Sequence, residues 1–254
     1  FPVIWHGHHS SFFIELYNIT SLFSLIYFRN LLYNIVKYVS KSGVSMNINT
    51  TYTKIITGED LMETAQHGST LYPFQFYYED LSVFDFNCIE WHWHTELEFI
   101  YIESGTVTLW IGEDQFHLTE GNGIFINTKV LHRLYSPSKA IIPNFVFMPS
   151  FIAPCDSLIY QKYILPIISS SLPFLVFHKK VCWQAKVLSI MRQIISAQDS
   201  VLSKELLTSS LLQNLWLEIF ENTDISYQEE HKDHSTASQA RLQLMLQFIH
   251  LNYS

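Results

Sequence analysis

The chain is poor in cysteine, poor in basic residues, and lacks an uninterrupted apolar run long enough to cross a membrane. Its three cysteines, Cys88, Cys155 and Cys182, are odd in number and form no C-x-x-C pair. That speaks against a disulfide framework and for free thiols in a reducing, cytoplasmic setting. Lys and Arg number 15 against 23 Asp and Glu, a formal charge of −8 with a pI near 5.8. Surfaces that grip nucleic acid concentrate Lys and Arg, so this piece is not expected to hold DNA by itself. Leu16 to Val39 is apolar, but Arg29 interrupts it short of a transmembrane length. The basic residues follow that run rather than precede it, which is the wrong order for a signal peptide.

What is present is a large apolar inventory: 254 residues, 48% hydrophobic and 15% aromatic, enough for one large domain or two small ones. The chain opens on Phe1 and stops at Ser254 inside a helical pattern, so both ends read as cut, with Met46 as the expected start. Residues 1–45 are read as sequence upstream of that start, in preference to an amphipathic or membrane-associated helix, and His6, His8 and His9 as an accidental cluster. From Thr51 to Met148 short strands alternate with turns such as Ser104-Gly105, Gly112-Glu113-Asp114 and Glu120-Gly121-Asn122-Gly123, a barrel or sandwich pattern. After Pro154 the period becomes helical. Trp183, Val187, Ile190, Met191 and Ile194 share one helix face, and Leu207, Leu211 and Leu215, flanked by Trp216, form a second stripe. The second stripe suits either intramolecular packing or a partner helix. A polar stretch follows, including His231 and His234, and then Leu242, Met245, Leu246 and Ile249 on one more helical face.

The chemistry concentrates in His92-Trp93-His94-Thr95-Glu96-Leu97-Glu98, with His132 further on. Ile89 to Ile102 reads as one long strand region rich in Trp, Phe, Tyr and Ile. On a strand, residues two apart share a face, so His92, His94 and, without a bulge, Glu98 point the same way. Three imidazoles and a carboxylate can hold a divalent transition metal. They can equally floor a pocket that hydrogen-bonds an organic ligand, or satisfy one another and buried water. Ile100 and Ile102 continue the Glu98 face. On the next strand either Thr108 and Trp110 or Val107 and Leu109 point inward, and Trp110, Tyr101 and Tyr135 are candidates to stack on a ligand ring.

The block from His92 to Gly105, H-x-H, three residues, Glu98, six residues, Gly105, resembles the first conserved cupin motif, and Gly121, Asn127, Lys129 and His132 follow the second. Asn127 and Lys129 stand where cupins often carry Pro and Gly, and Phe86 where the first motif usually opens with Gly. The order of barrel, two helices, polar linker and a helix like Arg241 to Ile249 is similar to that of arabinose-regulator type (AraC-family) transcription factors. The resemblance covers about residues 50 to 254. It implies an α+β fold, a small jelly-roll-like cupin β-barrel followed by α-helices. The implied division is 1–45 extension, 46–155 barrel, 156–222 helical dimerisation region, 223–238 linker, and 239–254 as the first helix of a helix-turn-helix domain mostly absent here. It implies a ligand-responsive transcription regulator, not an enzyme. A small effector, a sugar or organic acid, would bind at His92, His94, Glu98, Trp110 and His132. A homodimer would form through Leu207, Leu211, Leu215 and Trp216, and DNA would be bound through the missing domain, with no membrane involved. No cofactor is required by this reading, though a divalent transition metal is allowed at the same four polar residues. The competing reading is a metal-dependent cupin enzyme, a dioxygenase or isomerase.

Overall fold

The computed structural model describes residues 54–112 and 114–223. The expectations for residues 1–45, for the linker past its first residue and for the helix at 239–254 lie outside the described residues.

Among the described residues nine strands form two antiparallel sheets. The first carries β1 (Phe74–Asp80), β8 (Ile141–Phe147), β3 (Leu97–Tyr101), β6 (Gly123–Ile126) and β9 (Phe174–Phe177), in that order. The second carries β2 (Cys88–His92), β7 (His132–Tyr135), β4 (Thr106–Ile111) and β5 (Asp114–Thr119). A π-helical turn, Tyr160–Ile164, runs into a short helix, α1 (Leu165–Ile168), and two long helices follow, α2 (Cys182–Ala197) and α3 (Lys204–Asn222).

The period-two pattern of each strand divides the apolar residues between two cores. One lies between the sheets: Ile100, Ile124, Ile126 and Ile142 from the first sheet meet Ile89, Val107, Leu109, Ile111, Leu118 and Leu134 from the second. The other lies on the outer face of the five-stranded sheet. There Leu97, Phe99, Phe125, Phe145 and Phe147 pack against Val187, Leu188, Met191 and Ile194 of α2 and Leu212, Leu215, Trp216 and Ile219 of α3. A sheet covered on both faces needs strands apolar at almost every position, which is why Leu-Glu-Phe-Ile-Tyr of β3 shows no simple alternation.

Three expectations change here. Ile89 to Ile102 is not one strand: β2 and β3 belong to different sheets, and Trp93–Glu96 crosses between them. The crossing is held by backbone bonds from Trp93 N–H to Leu61 O (3.1 Å) and from Glu63 N–H to Trp93 O (2.9 Å). Second, the stretch 156–222 is not wholly helical, since β9 pairs with β6 and extends the sheet. Third, Leu215 and Trp216 are buried inside the molecule, and Trp216 Nε1–H donates to Tyr163 O at 2.9 Å. They are core residues and cannot face a partner. Leu211 is half-buried against the same core, and of the four only Leu207 is exposed.

The two departures at glycine positions of the cupin motif carry backbone consequences. Phe86 and Lys129 both have left-handed backbones, with φ of 57° and 61°, the conformation for which glycine is the favoured residue. Lys129 is held there by its N–H, which donates to His94 O at 2.8 Å.

Candidate functional site: a buried histidine cluster

The site is assembled from both sheets. His92 ends β2 and stands opposite His132, which begins β7. Glu98 sits on β3 of the other sheet, on the face it shares with Ile100, and His94 lies in the crossing between them. All four are buried. Ring centroids of His92 and His132 are 4.1 Å apart, and those of His94 and His132 are 5.4 Å apart. Glu98 Oε2 lies 3.1 Å from His132 Nε2 and 3.4 Å from His94 Nε2. The crossing, not a shared strand face, brings the H-x-H pair and the glutamate together.

The backbone sets the tautomers. His92 Nδ1 lies 2.8 Å from Glu90 O, and His132 Nδ1 lies 2.9 Å from Val130 O. A carbonyl only accepts, so in both rings Nδ1 carries a proton and Nε2 is the nitrogen turned toward the cluster. Hydrogen bonds of this kind from a ring N–H to a backbone carbonyl orient metal-ligating imidazoles. His132 Nε2 is not aligned for a hydrogen bond with Glu98 and has no other hydrogen-bond partner, although it is fully buried. Burial, with His132 next in size, pushes the His92 imidazole well below its ordinary value, so the ring is neutral. Burial works to raise the Glu98 carboxyl, but His132 and His94 outweigh it and hold Glu98 well below the usual carboxylate range. The site therefore offers the neutral His92 imidazole near an ionised Glu98 carboxylate.

These donors suit a divalent transition metal. One ligand nitrogen from each of His92, His94 and His132 lies within 4.8 Å of the others. Bonds of about 2.0–2.1 Å allow two ligands of one ion to stand up to about 4.2 Å apart, so a small closing of the rings suffices. His92, His94, His132 and Glu98 would hold the ion. When bound, it would supply a Lewis-acidic positive charge; the chain's own part is to orient the rings and keep Glu98 ionised.

A fourth histidine, absent from the sequence reading, stands beside the cluster. His67 is buried, its ring 5.5 Å from that of His94, with Nδ1 2.9 Å from Tyr77 Oη. Its Nε2 lies 3.3 Å from Glu63 Oε2. Burial would lower its pKa, but Glu63, with Glu96 and Glu98, raises it on balance. The hairpin that delivers Glu63 is the same one stitched to Trp93. No spacing rule links His67 to His92, so only the fold reveals the neighbour.

Trp110 is not part of the site. Val107, Leu109 and Ile111 take the inward register, which turns Trp110 to the outer face of its sheet, where Arg133 stacks over its ring at 4.9 Å and pairs with Glu90 at 2.9 Å. Tyr135, in register with Thr108, shares that outer face. Tyr101 packs against the core beneath the helices, with Arg192 over its ring at 5.9 Å. The three aromatic residues expected to stack on a ligand all lie outside the barrel.

Two sheets enclosing a histidine–glutamate cluster define a cupin-type barrel, and residues 88–142 match the cupin domain family. Residues 88–142 thus form a cupin domain, as the motif led us to expect. It is 24% identical over 208 residues to the uncharacterized HTH-type transcriptional regulator YdeC of Bacillus subtilis, covering 78% of this chain and 68% of that protein. Among solved structures it is similar to ToxT from Vibrio cholerae, with 16% identity over 61% of this chain and 58% of that one and a TM-score of 0.43. It is also similar to an RmlC-like cupin from Shewanella frigidimarina, with 18% identity over 30% of this chain and 67% of that one and a TM-score of 0.28.

Proposed function

We propose that the protein is a ligand-responsive transcription regulator, in which a small effector binds at the histidine–glutamate end of the barrel and the helices pass the change to a DNA-binding part. One observation carries this reading. The likeness to a helix-turn-helix regulator extends over 208 residues, far past the matched cupin segment 88–142 and so beyond the barrel. The effector must favour one arrangement of that layer over another, because equal affinity for both would switch nothing. A homodimer fits paired half-sites on DNA, and a cytoplasmic location fits both the role and the free thiols Cys88, Cys155 and Cys182.

The second reading is a metal-dependent cupin enzyme, favoured by the buried histidine cluster itself. Mapping the DNA bound by the intact protein in its own cells separates the two. A regulator gives discrete sites, and a His92→Ala, His132→Ala double variant still occupies sites but no longer responds to growth conditions. No enriched site, together with turnover of a small substrate by the metal-loaded protein, would establish the enzyme instead.

A further inference from the structure

We propose that the effector is itself a divalent transition-metal ion, held by His92, His94, His132 and Glu98, and that its arrival reaches the helices through loop 127–132. The inference rests on the regulator reading and names the effector class for that site.

Three observations favour an ion over an organic ligand. The space between the sheets away from the cluster is lined by aliphatic side chains, among them Ile89, Ile102, Val107, Leu109 and Ile124. The aromatic residues that would stack on a sugar, Trp110, Tyr101 and Tyr135, lie outside the barrel. The edge of the cluster is acidic: Glu63 Oε2 lies 3.3 Å from His67 Nε2, and Glu96 Oε2 lies 3.8 Å from His94 Nδ1. Side chains of that sign draw cations and repel organic acids. Within the cluster, His132 Nε2 is a buried nitrogen with no hydrogen-bond partner, directed toward Glu98. An ion set between that nitrogen and the carboxylate would engage both.

The same loop touches both ends of the route. At the site, Lys129 N–H binds His94 O at 2.8 Å, and His132 Nδ1–H binds Val130 O at 2.9 Å. At its other end, buried Asn127 donates from Nδ2 to Ile167 O (3.1 Å) and Leu172 O (2.9 Å), and its N–H binds Pro173 O at 2.9 Å. Ile167 lies on α1 and belongs to the core shared with α2 and α3, while Trp216 of α3 anchors on Tyr163 O. An ion that draws His94 and His132 together pulls on this loop, which is hydrogen-bonded to the site at one end and to the helical layer at the other.

The test compares chelator-treated intact protein with protein given Zn2+, Mn2+ or Ni2+, reading metal content and amide hydrogen exchange together. One equivalent of metal should bind, and exchange in 127–132, α1 and α3 should slow about tenfold, within the usual range of coupling between sites. The His92→Ala, His132→Ala variant should lose both effects. Asn127→Ala should keep its metal affinity within about threefold yet lose the slowing in the helices, if coupling of the usual size runs through it. Asn127→Asp, which removes the Nδ2 donors at nearly constant volume, replaces it should the alanine variant not fold. Metal uptake with slowing confined to 92–98 and 132 would overturn the effector role, as would no uptake at micromolar metal. In either case, discrete DNA sites for the intact protein would leave the regulator reading standing, whereas their absence would remove it.

Discussion

Two buried histidines, His92 and His67, are tuned in opposite directions. His92 sits below its ordinary value near 6.5 because of burial and the neighbouring His132. In its window the unfolded chain binds the extra proton, so its contribution is complete above about pH 6.5 and is lost as pH falls toward the depressed folded value. His67 sits above 6.5: burial lowers it, but Glu63 more than restores it. Its contribution is complete below about pH 6.5 and is lost as pH rises through the folded value. Glu98, held below its ordinary 4.5, adds a further loss at stronger acidity. The metal-free protein, kept in chelator, is therefore expected to melt highest near pH 6.5 and lower on both sides. His67→Gln should remove the fall between pH 6.5 and 8, and His92→Gln should flatten the profile between 6.5 and 5. Thermal melts across pH 5 to 8 decide it, and a profile that rises steadily with pH in the parent protein would contradict the assignment. At this scale His92, His94, Glu98 and His132 were readable because their spacing is a motif. His67 was not, because its partnership depends on how the 55–64 hairpin docks on Trp93.

Among the elements, the strands of the second sheet were the most legible, since Thr106–Ile111 and Asp114–Thr119 flank an obvious turn. The break between β2 and β3 was hidden by composition, because a crossing rich in Trp and His looks like more strand. The inward register of β4 was also undecided in the sequence, since Val-Thr-Leu-Trp offers apolar residues on both faces. The irregular turn before β2 supports a direct prediction. Phe86 is 90% exposed with φ of 57°, so it strains the backbone without packing that would offset it. Phe86→Gly is expected to raise stability by about 0.5–1 kcal/mol: relief of a left-handed residue, about 1–2 kcal/mol, exceeds the entropy lost with glycine. Chemical denaturation measures this, and a lower midpoint would mean that the ring makes a contact worth more than the strain.

For the whole molecule, the helical layer is foremost a cover for the five-stranded sheet. The stripe at Leu207, Leu211 and Leu215 was correctly placed on one helix, but a helical period cannot say which neighbour is buried. The fold divides it, with Leu215 in the core and Leu207 41% exposed. Leu215→Asp is thus expected to prevent folding, whereas Leu207→Asp should fold normally and shift a dimer toward monomer in sedimentation. Unchanged mass for Leu207→Asp would remove this part of α3 from any interface. The double-sided sheet also has a cost during synthesis. Phe99 on β3 finds its covering helix only when α2 emerges, roughly 80 residues after Tyr101, counting from 101 to 182. At typical elongation rates of about 5–20 residues per second, a phenylalanine-rich sheet face waits roughly 4–16 seconds uncovered on the ribosome. That interval makes the nascent barrel a natural client for chaperones that shield apolar sheet faces, and makes any fragment ending before α2 prone to aggregate.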